Sequence, residues 1–139
     1  MKKVVFVVLS IGLLMCGCKS QKSLTSYANL NGEWTVVELT GHTLKADAKK
    51  PTLKFDVAEN RVSGNAGCNQ IVGTVKQGEA KSDALKFSGV AATRKACIDM
   101  SAEDAFLKVL DQVSSFKAEK PNEVTFYGPN KQKLFVINK

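Results

Sequence analysis

Short segments in which apolar and polar residues alternate cover most of the chain after residue 30. The clearest is Leu53–Val57, where apolar residues alternate with charged ones, as in a strand with one buried and one solvated face. Glu33–Leu39 is rich in β-branched and aromatic residues and ends at a Thr-Gly-His turn. Six further segments have strand character: 61–64, 71–76, 84–88, 115–119, 123–127 and 134–138.

One segment follows the helical period instead. Ser101 is an N-cap candidate, acidic residues follow in the first turn, and apolar residues recur at helical spacing as far as Val113. This pattern predicts one amphipathic helix over about 101–114. The last two strands flank Gly-Pro-Asn-Lys at 128–131, which predicts a terminal hairpin. Together these elements predict a β-rich α+β fold, a small curled antiparallel sheet or barrel of about eight short strands with the helix covering one side or end.

The N-terminus has the features of a lipoprotein signal. Lys2 and Lys3 precede an apolar run over 4–14 that is too short to span a membrane, and Gly17 precedes Cys18. We expect cleavage between Gly17 and Cys18, with the lipid on Cys18. The chain then divides into a signal peptide over 1–17, a polar lipidated tether over 18–29 and a single domain over 30–139.

The residue after Cys18 favours one membrane. Lys19 stands where an aspartate would retain a lipoprotein in the inner membrane of enterobacteria. We therefore expect the outer membrane, with the domain facing the periplasm. The expected partners are the membrane, through the lipid on Cys18, and another envelope protein.

The net charge is moderate. The 139 residues include 20 Lys and Arg against 13 Asp and Glu, a net charge of +7, and Lys2 and Lys3 leave with the signal. The remaining excess is spread along the chain, as expected of a solubilising surface. Such a surface, together with the expected location in the cell envelope, argues against nucleic acid as a partner. Lys19 and Lys22 would add weak attraction to anionic headgroups, and we expect a monomer.

Two of the four cysteines remain for the domain. Cys16 leaves with the signal and Cys18 is acylated, so Cys68 and Cys97 are left. In an oxidising compartment such a pair most often forms a disulfide, and we predict one here. Closing a loop of this length stabilises a fold by about 3 to 4 kcal/mol in the loop-entropy description. Two buried free thiols are the alternative.

Residues for catalysis are scarce. The chain has one histidine, His42, and lacks the His-Glu-x-x-His, Gly-x-Ser-x-Gly and zinc-finger cysteine patterns. We therefore expect no enzyme activity, no metal and no cofactor. Asp56 falls on the solvated face of its strand, and Glu103 and Asp104 are explained by the helix dipole. Trp34 is assigned to the core, with a pocket rim as the alternative.

Four blocks of sequence carry a resemblance to a known family. They are Asn-Gly-Glu-Trp at 31–34, Arg-Val-Ser-Gly-Asn-Ala-Gly-Cys-Asn at 61–69 with Gly73 after it, Ala-Thr-Arg-Lys-Ala-Cys at 92–97, and the helix positions Glu103, Phe106 and Leu107. In this order they resemble the META domain family. The resemblance covers about residues 30–138. It implies a compact β-rich domain, association with the bacterial envelope, and a link to stress or antibiotic tolerance in some members. It implies no catalytic activity.

Within these blocks, three residues are candidates for contact with a ligand or partner: Arg94, Asn69 and Trp34. Gly64 and Gly67 would allow a tight bend, in which Asn69 bonds its own backbone. The guanidinium of Arg94 could instead fork to a carboxylate or to backbone carbonyls and fix the turn from Thr93 to Cys97.

Three functions are compatible with this sequence. The first is a non-catalytic envelope lipoprotein that binds another envelope protein or maintains the envelope under stress. The second is a carrier or sensor for a small apolar or anionic ligand, with a pocket lined by Trp34, Phe55, Phe87 or Phe126 at the mouth of the barrel. The third is a protease inhibitor or chaperone-like domain that presents a strand edge.

Overall fold

The computed structural model describes residues 24–79 and 81–139. A short 3-10 helix, η1, at Tyr27–Leu30 precedes the first strand. The strands are β1 Gly32–Leu39, β2 Thr52–Asp56, β3 Arg61–Asn65, β4 Gln70–Gln77, β5 Leu85–Ala92, β6 Ser115–Lys120, β7 Glu123–Tyr127 and β8 Lys133–Asn138, with one helix, α1, at Ser101–Leu110 between β5 and β6. The predicted signal peptide, the predicted lipid site Cys18 and the first part of the expected tether lie outside the described residues. Among the described helices, none is long and apolar enough to cross a membrane.

The eight strands form one antiparallel sheet in the order β5-β4-β3-β2-β1-β8-β7-β6. The sheet curls into a half-barrel, so the predicted β-rich α+β fold is confirmed. Each predicted strand is present, and β7 pairs with β8 in the predicted terminal hairpin.

The two edge strands of the sheet meet at one point. An isolated antiparallel β-bridge pairs Ala84 with Ser115. On either side of it, Leu85 N–H donates to the Ser114 carbonyl at 3.1 Å and Phe116 N–H donates to the Asp83 carbonyl at 2.9 Å. We call this contact the seam. Beyond the seam, in the described part of the chain, the second half of β5 pairs with β4 alone.

Phenylalanine rings fill the interior of the half-barrel. The ring centroid of Phe126 lies 4.6 Å from that of Phe135, 6.0 Å from that of Phe87 and 6.4 Å from that of Phe55. Phe106 brings α1 onto this cluster, edge-on to Phe135 at 5.4 Å. All five side chains are at most 3% exposed, so the helix and the two halves of the sheet share one core.

The ordered fold begins before residue 30, within the segment expected to be tether. The Tyr27 hydroxyl donates to the Val75 carbonyl at 2.8 Å, and the N–H of Ala118 in β6 donates to Oγ1 of Thr25 at 3.1 Å. Leu30 is fully buried, and its carbonyl accepts a hydrogen bond from the Trp34 indole at 2.6 Å. Residues 25–30 are therefore packed against the sheet.

The helix differs from its prediction at both ends. Met100, not Ser101, occupies the N-cap position, and Oδ1 of Asp99 accepts the hydrogen bond from Ser101 N–H at 3.0 Å. The helix ends at Leu110 because Ser114 is held in the sheet, where its N–H donates to the Tyr127 carbonyl at 2.9 Å and its own carbonyl accepts at the seam. Val113 is buried, but in the connection that follows the helix.

Strand β5 is longer than predicted because Gly89 continues it. Gly89 has φ +59°, and the register between β4 and β5 shifts around this position. This is a β-bulge, which lets the strand run on to Ala92 instead of ending near Ser88.

Candidate functional site

A buried carboxylate joins the helix to the bend before β4. Oε2 of Glu103 accepts hydrogen bonds from the backbone N–H groups of Cys68, at 2.9 Å, and Asn69, at 2.7 Å, while Oε1 accepts from Nδ2 of Asn69 at 2.6 Å. Glu103 is 4% exposed. This arrangement corrects the assignment of Glu103 to the helix dipole, because its carboxylate is directed into the fold and is fully used there.

Asn69 carries the connection on to the segment after β5. Its Oδ1 accepts from Oγ1 of Thr93 at 2.9 Å and from the N–H of Lys95 at 2.7 Å, and its Nδ2 donates to the Lys95 carbonyl at 3.2 Å. Asn69 is 2% exposed, so the structure places this candidate contact residue in the interior. It bonds a neighbouring segment and the helix, in contrast to the turn in its own backbone expected from the sequence.

The predicted disulfide is present. Cys68 and Cys97 are bonded across a sequence separation of 29. Cys68 is also a donor to Glu103, so one position is fixed both by a covalent bond and through its backbone. We call the assembly of Cys68, Asn69, Thr93–Cys97 and Glu103 the clasp.

The pKa of Glu103 reflects two opposing effects. Burial alone would raise it, but the hydrogen bonds from the Asn69 side chain and from the backbone of Asn69 and Cys68 together hold the pKa below its usual value. The charged carboxylate is therefore the form that the clasp binds.

Two glycines allow close approaches here, Gly64 to the neighbouring strand β2 and Gly67 within the bend. A Cβ on Gly64 would meet the carbonyl oxygen of Thr52 well inside contact distance. Gly67 has φ +129°, which disfavours any side chain, and it lies next to the backbone of Glu103.

Arg94 does not form the fork that was expected to fix its turn. It is exposed and has no ion pair or side-chain hydrogen bond with any residue of 24–79 and 81–139. Asn69 fixes the turn instead, by bonding both backbone groups of Lys95. The side chain of Lys95 is likewise exposed and unpaired within the described chain, and Ile98 is fully exposed.

A groove of about 690 Å³ lies between the second half of β5, the clasp and α1. Its apolar wall includes Val90 and Ala92 of β5 and Leu107 of α1, all half-buried. Arg94 and Lys95 supply positive charge to its lining, and the one acidic residue there, Glu103, already accepts three hydrogen bonds. We call this space the cationic groove.

The third candidate contact residue, Trp34, is buried in β1, as expected of a core residue. It is 2% exposed, and its N–H is taken by the Leu30 carbonyl. Lys139 lies over the ring, with Nζ 4.6 Å from the centroid.

The sequence did not predict the role of Glu103, because its hydrogen-bond partners lie more than thirty positions away. The one indication in the sequence was that Glu103 belongs to the blocks that resemble the META domain family.

The described residues contain no group of three or more His, Cys, Asp or Glu placed to hold a metal ion. Asp56, on the solvated face of β2 as expected, accepts from the N–H of Glu59 at 3.2 Å in the turn that follows.

Three solved structures show the same fold. A protein from Burkholderia xenovorans, solved by NMR, has a TM-score of 0.60 at 19% identity, covering 83% of this chain and 86% of its own. A second protein solved by NMR gives a TM-score of 0.58 at 19% identity, with 78% and 89% covered. A crystal structure of a DUF4847 family protein from Bacteroides vulgatus gives 0.56 at 14% identity, with 78% and 92% covered.

No curated protein matches the sequence. The model of the META domain family matches residues 25–139, which includes η1 and every strand. The chain belongs to the META domain family.

Proposed function

We propose that this chain is a non-catalytic, lipid-anchored protein of the bacterial envelope whose domain binds an extended, acidic segment of another envelope protein in the cationic groove. The observation that carries the proposal is the position of the unpaired Arg94 and Lys95 beside the free half of β5. A role in envelope stress tolerance is the biological setting that the family resemblance favours.

The charge of the groove selects the partner. Arg94 and Lys95 have no anionic partner among the described residues, and Glu103 is 4% exposed with its oxygens occupied. A carboxylate from outside would therefore meet two cations, and no exposed acidic residue of the described chain lines the groove. Arginine also offers a fork that matches the geometry of a carboxylate.

The shape of the groove favours an extended segment. A strand with one free edge is a template for a further strand, which gains backbone hydrogen bonds along its length. Past the seam, β5 is such a strand in the described chain, and Val90, Ala92 and Leu107 offer an apolar wall to alternate side chains of the incoming segment.

The clasp prepares this site. Both backbone groups of Lys95 are bonded to Asn69, and Cys97 is bonded to Cys68, so the segment that carries the cations is already ordered. Ordering a loop is one of the costs of association, and here it is met on folding.

The filled interior favours this function over a carrier. Phe55, Phe87 and Phe126 pack on one another with centroids 6.0 to 6.4 Å apart, which occupies the space proposed for a ligand. The third alternative, a domain that presents a strand edge, shares the free half of β5 with the proposal and differs in the class of partner.

Binding is tested with a defined probe. We expect a short peptide of alternating Val and Glu to bind the purified chain in a calorimetric titration, and a matched peptide of Val and Lys not to bind. Arg94→Ala/Lys95→Ala should weaken binding by about tenfold, because each exposed charge pair contributes up to about 1 kcal/mol. Lys49→Ala/Lys50→Ala removes the same charge elsewhere and should have no effect. Equal binding of the two peptides, or equal loss in the two variants, would contradict the proposal.

The anchor is tested separately. The intact mass of the chain isolated from membranes should show cleavage before Cys18 and an acyl modification, and Cys18→Ala should abolish both. A membrane-bound chain of unmodified mass would exclude lipidation.

A further inference from the structure

We infer that a second basic cleft, at the seam, binds the phosphate of an anionic phospholipid headgroup in the membrane to which the chain is anchored. The inference rests on the proposed lipid anchor. The cleft has a volume of about 700 Å³ and shares no lining residue with the cationic groove.

Three lysines from separate segments line this seam cleft. Lys81 comes from the connection before β5, Lys117 from β6 and Lys131 from the turn between β7 and β8. Ser82 and Ser115 add hydroxyl groups between them. A phosphate group suits such a lining, because ammonium and hydroxyl groups both donate hydrogen bonds to its oxygens.

The charge balance of the seam cleft is positive. Lys117 pairs with Glu119, with 2.9 Å between Nζ and Oε1, whereas Lys81 and Lys131 have no ion pair in the described part of the chain. Asp83 is the one carboxylate in the lining. Two of the three ammonium groups are thus available to an external anion.

The position of Thr25 links this cleft to the membrane. Thr25 lies in the cleft lining and is bonded to β6, and six residues separate it from Cys18. Even fully extended, that stretch reaches at most about 25 Å, so an acylated Cys18 keeps the cleft near the headgroups. Lys19 and Lys22 lie within the same stretch and add to the attraction for an anionic surface.

The seam cleft and the cationic groove would then bind different partners. The seam cleft, with Lys81, Lys117 and Lys131, would face the membrane. Arg94 and Lys95, on the segment between β5 and α1, would remain available to a protein partner. Bound headgroups would also orient the domain, because they add a second point of contact with the membrane to the lipid on Cys18.

The test measures the reactivity of individual lysines in the full mature chain. The chain is reconstituted in vesicles of phosphatidylglycerol and phosphatidylcholine in equal parts, or of phosphatidylcholine alone. Lysine side chains are then labelled briefly with an amine-acylating reagent, and the labelled fraction of each lysine is quantified by mass spectrometry. We expect Lys81 and Lys131 to react about fivefold more slowly in the anionic vesicles, the factor that corresponds to the attraction of one lysine to an anionic surface. Lys117 lines the same cleft but is paired with Glu119, so we expect it to be protected to a smaller extent. Lys49 and Lys50 are the internal controls.

A variant checks that the cleft itself is responsible. In Lys81→Ala/Lys131→Ala, the reactivity of Lys117 should return to its value in phosphatidylcholine, whereas Lys49→Ala/Lys50→Ala should leave the protection of Lys117 intact. Circular dichroism confirms the fold of both variants.

Other outcomes overturn the inference. Equal protection in both kinds of vesicle would mean that proximity alone shields the lysines, and equal protection by free glycerol phosphate would assign the cleft to a soluble anion. The intact mass reports the state of Cys18 independently. An unmodified Cys18 refutes the anchor, whereas unprotected lysines on a lipidated chain refute only the headgroup site.

Discussion

The side-chain amide of Asn69 donates to Oε1 of Glu103 at 2.6 Å, and the backbone N–H of Asn69 donates to Oε2 of the same carboxylate at 2.7 Å. One carboxylate on α1 thus holds both the backbone and the side chain of a residue 34 positions earlier. Since Asn69 in turn bonds both backbone groups of Lys95, hydrogen bonds connect the helix, the bend before β4 and the segment after β5.

Neutralising this carboxylate should weaken the fold. In Glu103→Gln one carboxylate oxygen becomes an amide donor that faces N–H groups, so we expect a loss of about 2 kcal/mol in the free energy of unfolding. Urea denaturation measures this loss. Asp104→Asn, an exposed change at the next helix position, should alter stability by no more than about 0.5 kcal/mol. A loss of unfolding free energy for Glu103→Gln no larger than that for Asp104→Asn would mean that the hydrogen bonds of Glu103 contribute nothing to stability.

The stabilisation by Glu103 should depend on pH in a defined direction. Its pKa is lower in the folded protein than in the unfolded chain, where the pKa of a glutamate is about 4.3. The contribution is therefore complete above that value and is lost as the pH falls through the lower folded pKa. The gap in stability between wild type and Glu103→Gln should narrow below about pH 4. Urea melts at stepped pH test this, and a constant gap down to pH 3 would show that Glu103 is not the titrating group.

The disulfide should stabilise the fold and order the loop beside the cationic groove. We expect Cys68→Ser/Cys97→Ser to lower the free energy of unfolding by about 3 kcal/mol. Amide hydrogen exchange at residues 93–98 should be faster in this variant than in wild type. Wild-type protein in which the disulfide has been reduced should have the same melting temperature as the variant. If both thiols alkylate in the folded protein without reductant, the bond is absent in solution.

Gly64 should not tolerate a side chain. Its position against the Thr52 carbonyl leaves no space for a Cβ, so Gly64→Ala should cost about 3 kcal/mol, comparable to the larger overpacking substitutions. Gly41 also has a positive φ, +77°, but open space around it. Gly41→Ala therefore isolates the backbone strain and should cost about 1 kcal/mol. Thermal melts of both variants provide the comparison.

Strands such as β2 were predictable because one face is buried and the other is exposed, whereas β8 is buried at four consecutive residues, 134–137. Leu53 and Phe55 are buried while Lys54 and Asp56 are exposed, as their alternation predicts. The end of α1 was not predictable from the same kind of pattern. Val113 continues the helical period, but the hydrogen bonds of Ser114 in the sheet end the helix earlier, and those bonds depend on the tertiary fold.

The candidate site was predictable only in part. The pairing of Cys68 with Cys97 was predictable from the expected oxidising compartment and from the lack of any other cysteine in residues 30–139. The role of Glu103 does not, because an acidic residue in a first helical turn has a sufficient local explanation and its partners are distant in sequence. The structure likewise separates Asn69, which is buried and fully bonded, from Arg94, which is exposed and available.

The most direct test of the cationic groove as a binding site is amide hydrogen exchange of the chain with and without the peptide of alternating Val and Glu. A strand added to β5 should slow exchange along its second half, at residues 89–92, and at 94–96 of the clasp, while the seam residues 82–84 and 114–116 remain unchanged. Unaltered exchange at 89–92 under saturating peptide, or protection confined to another face, would contradict the proposal.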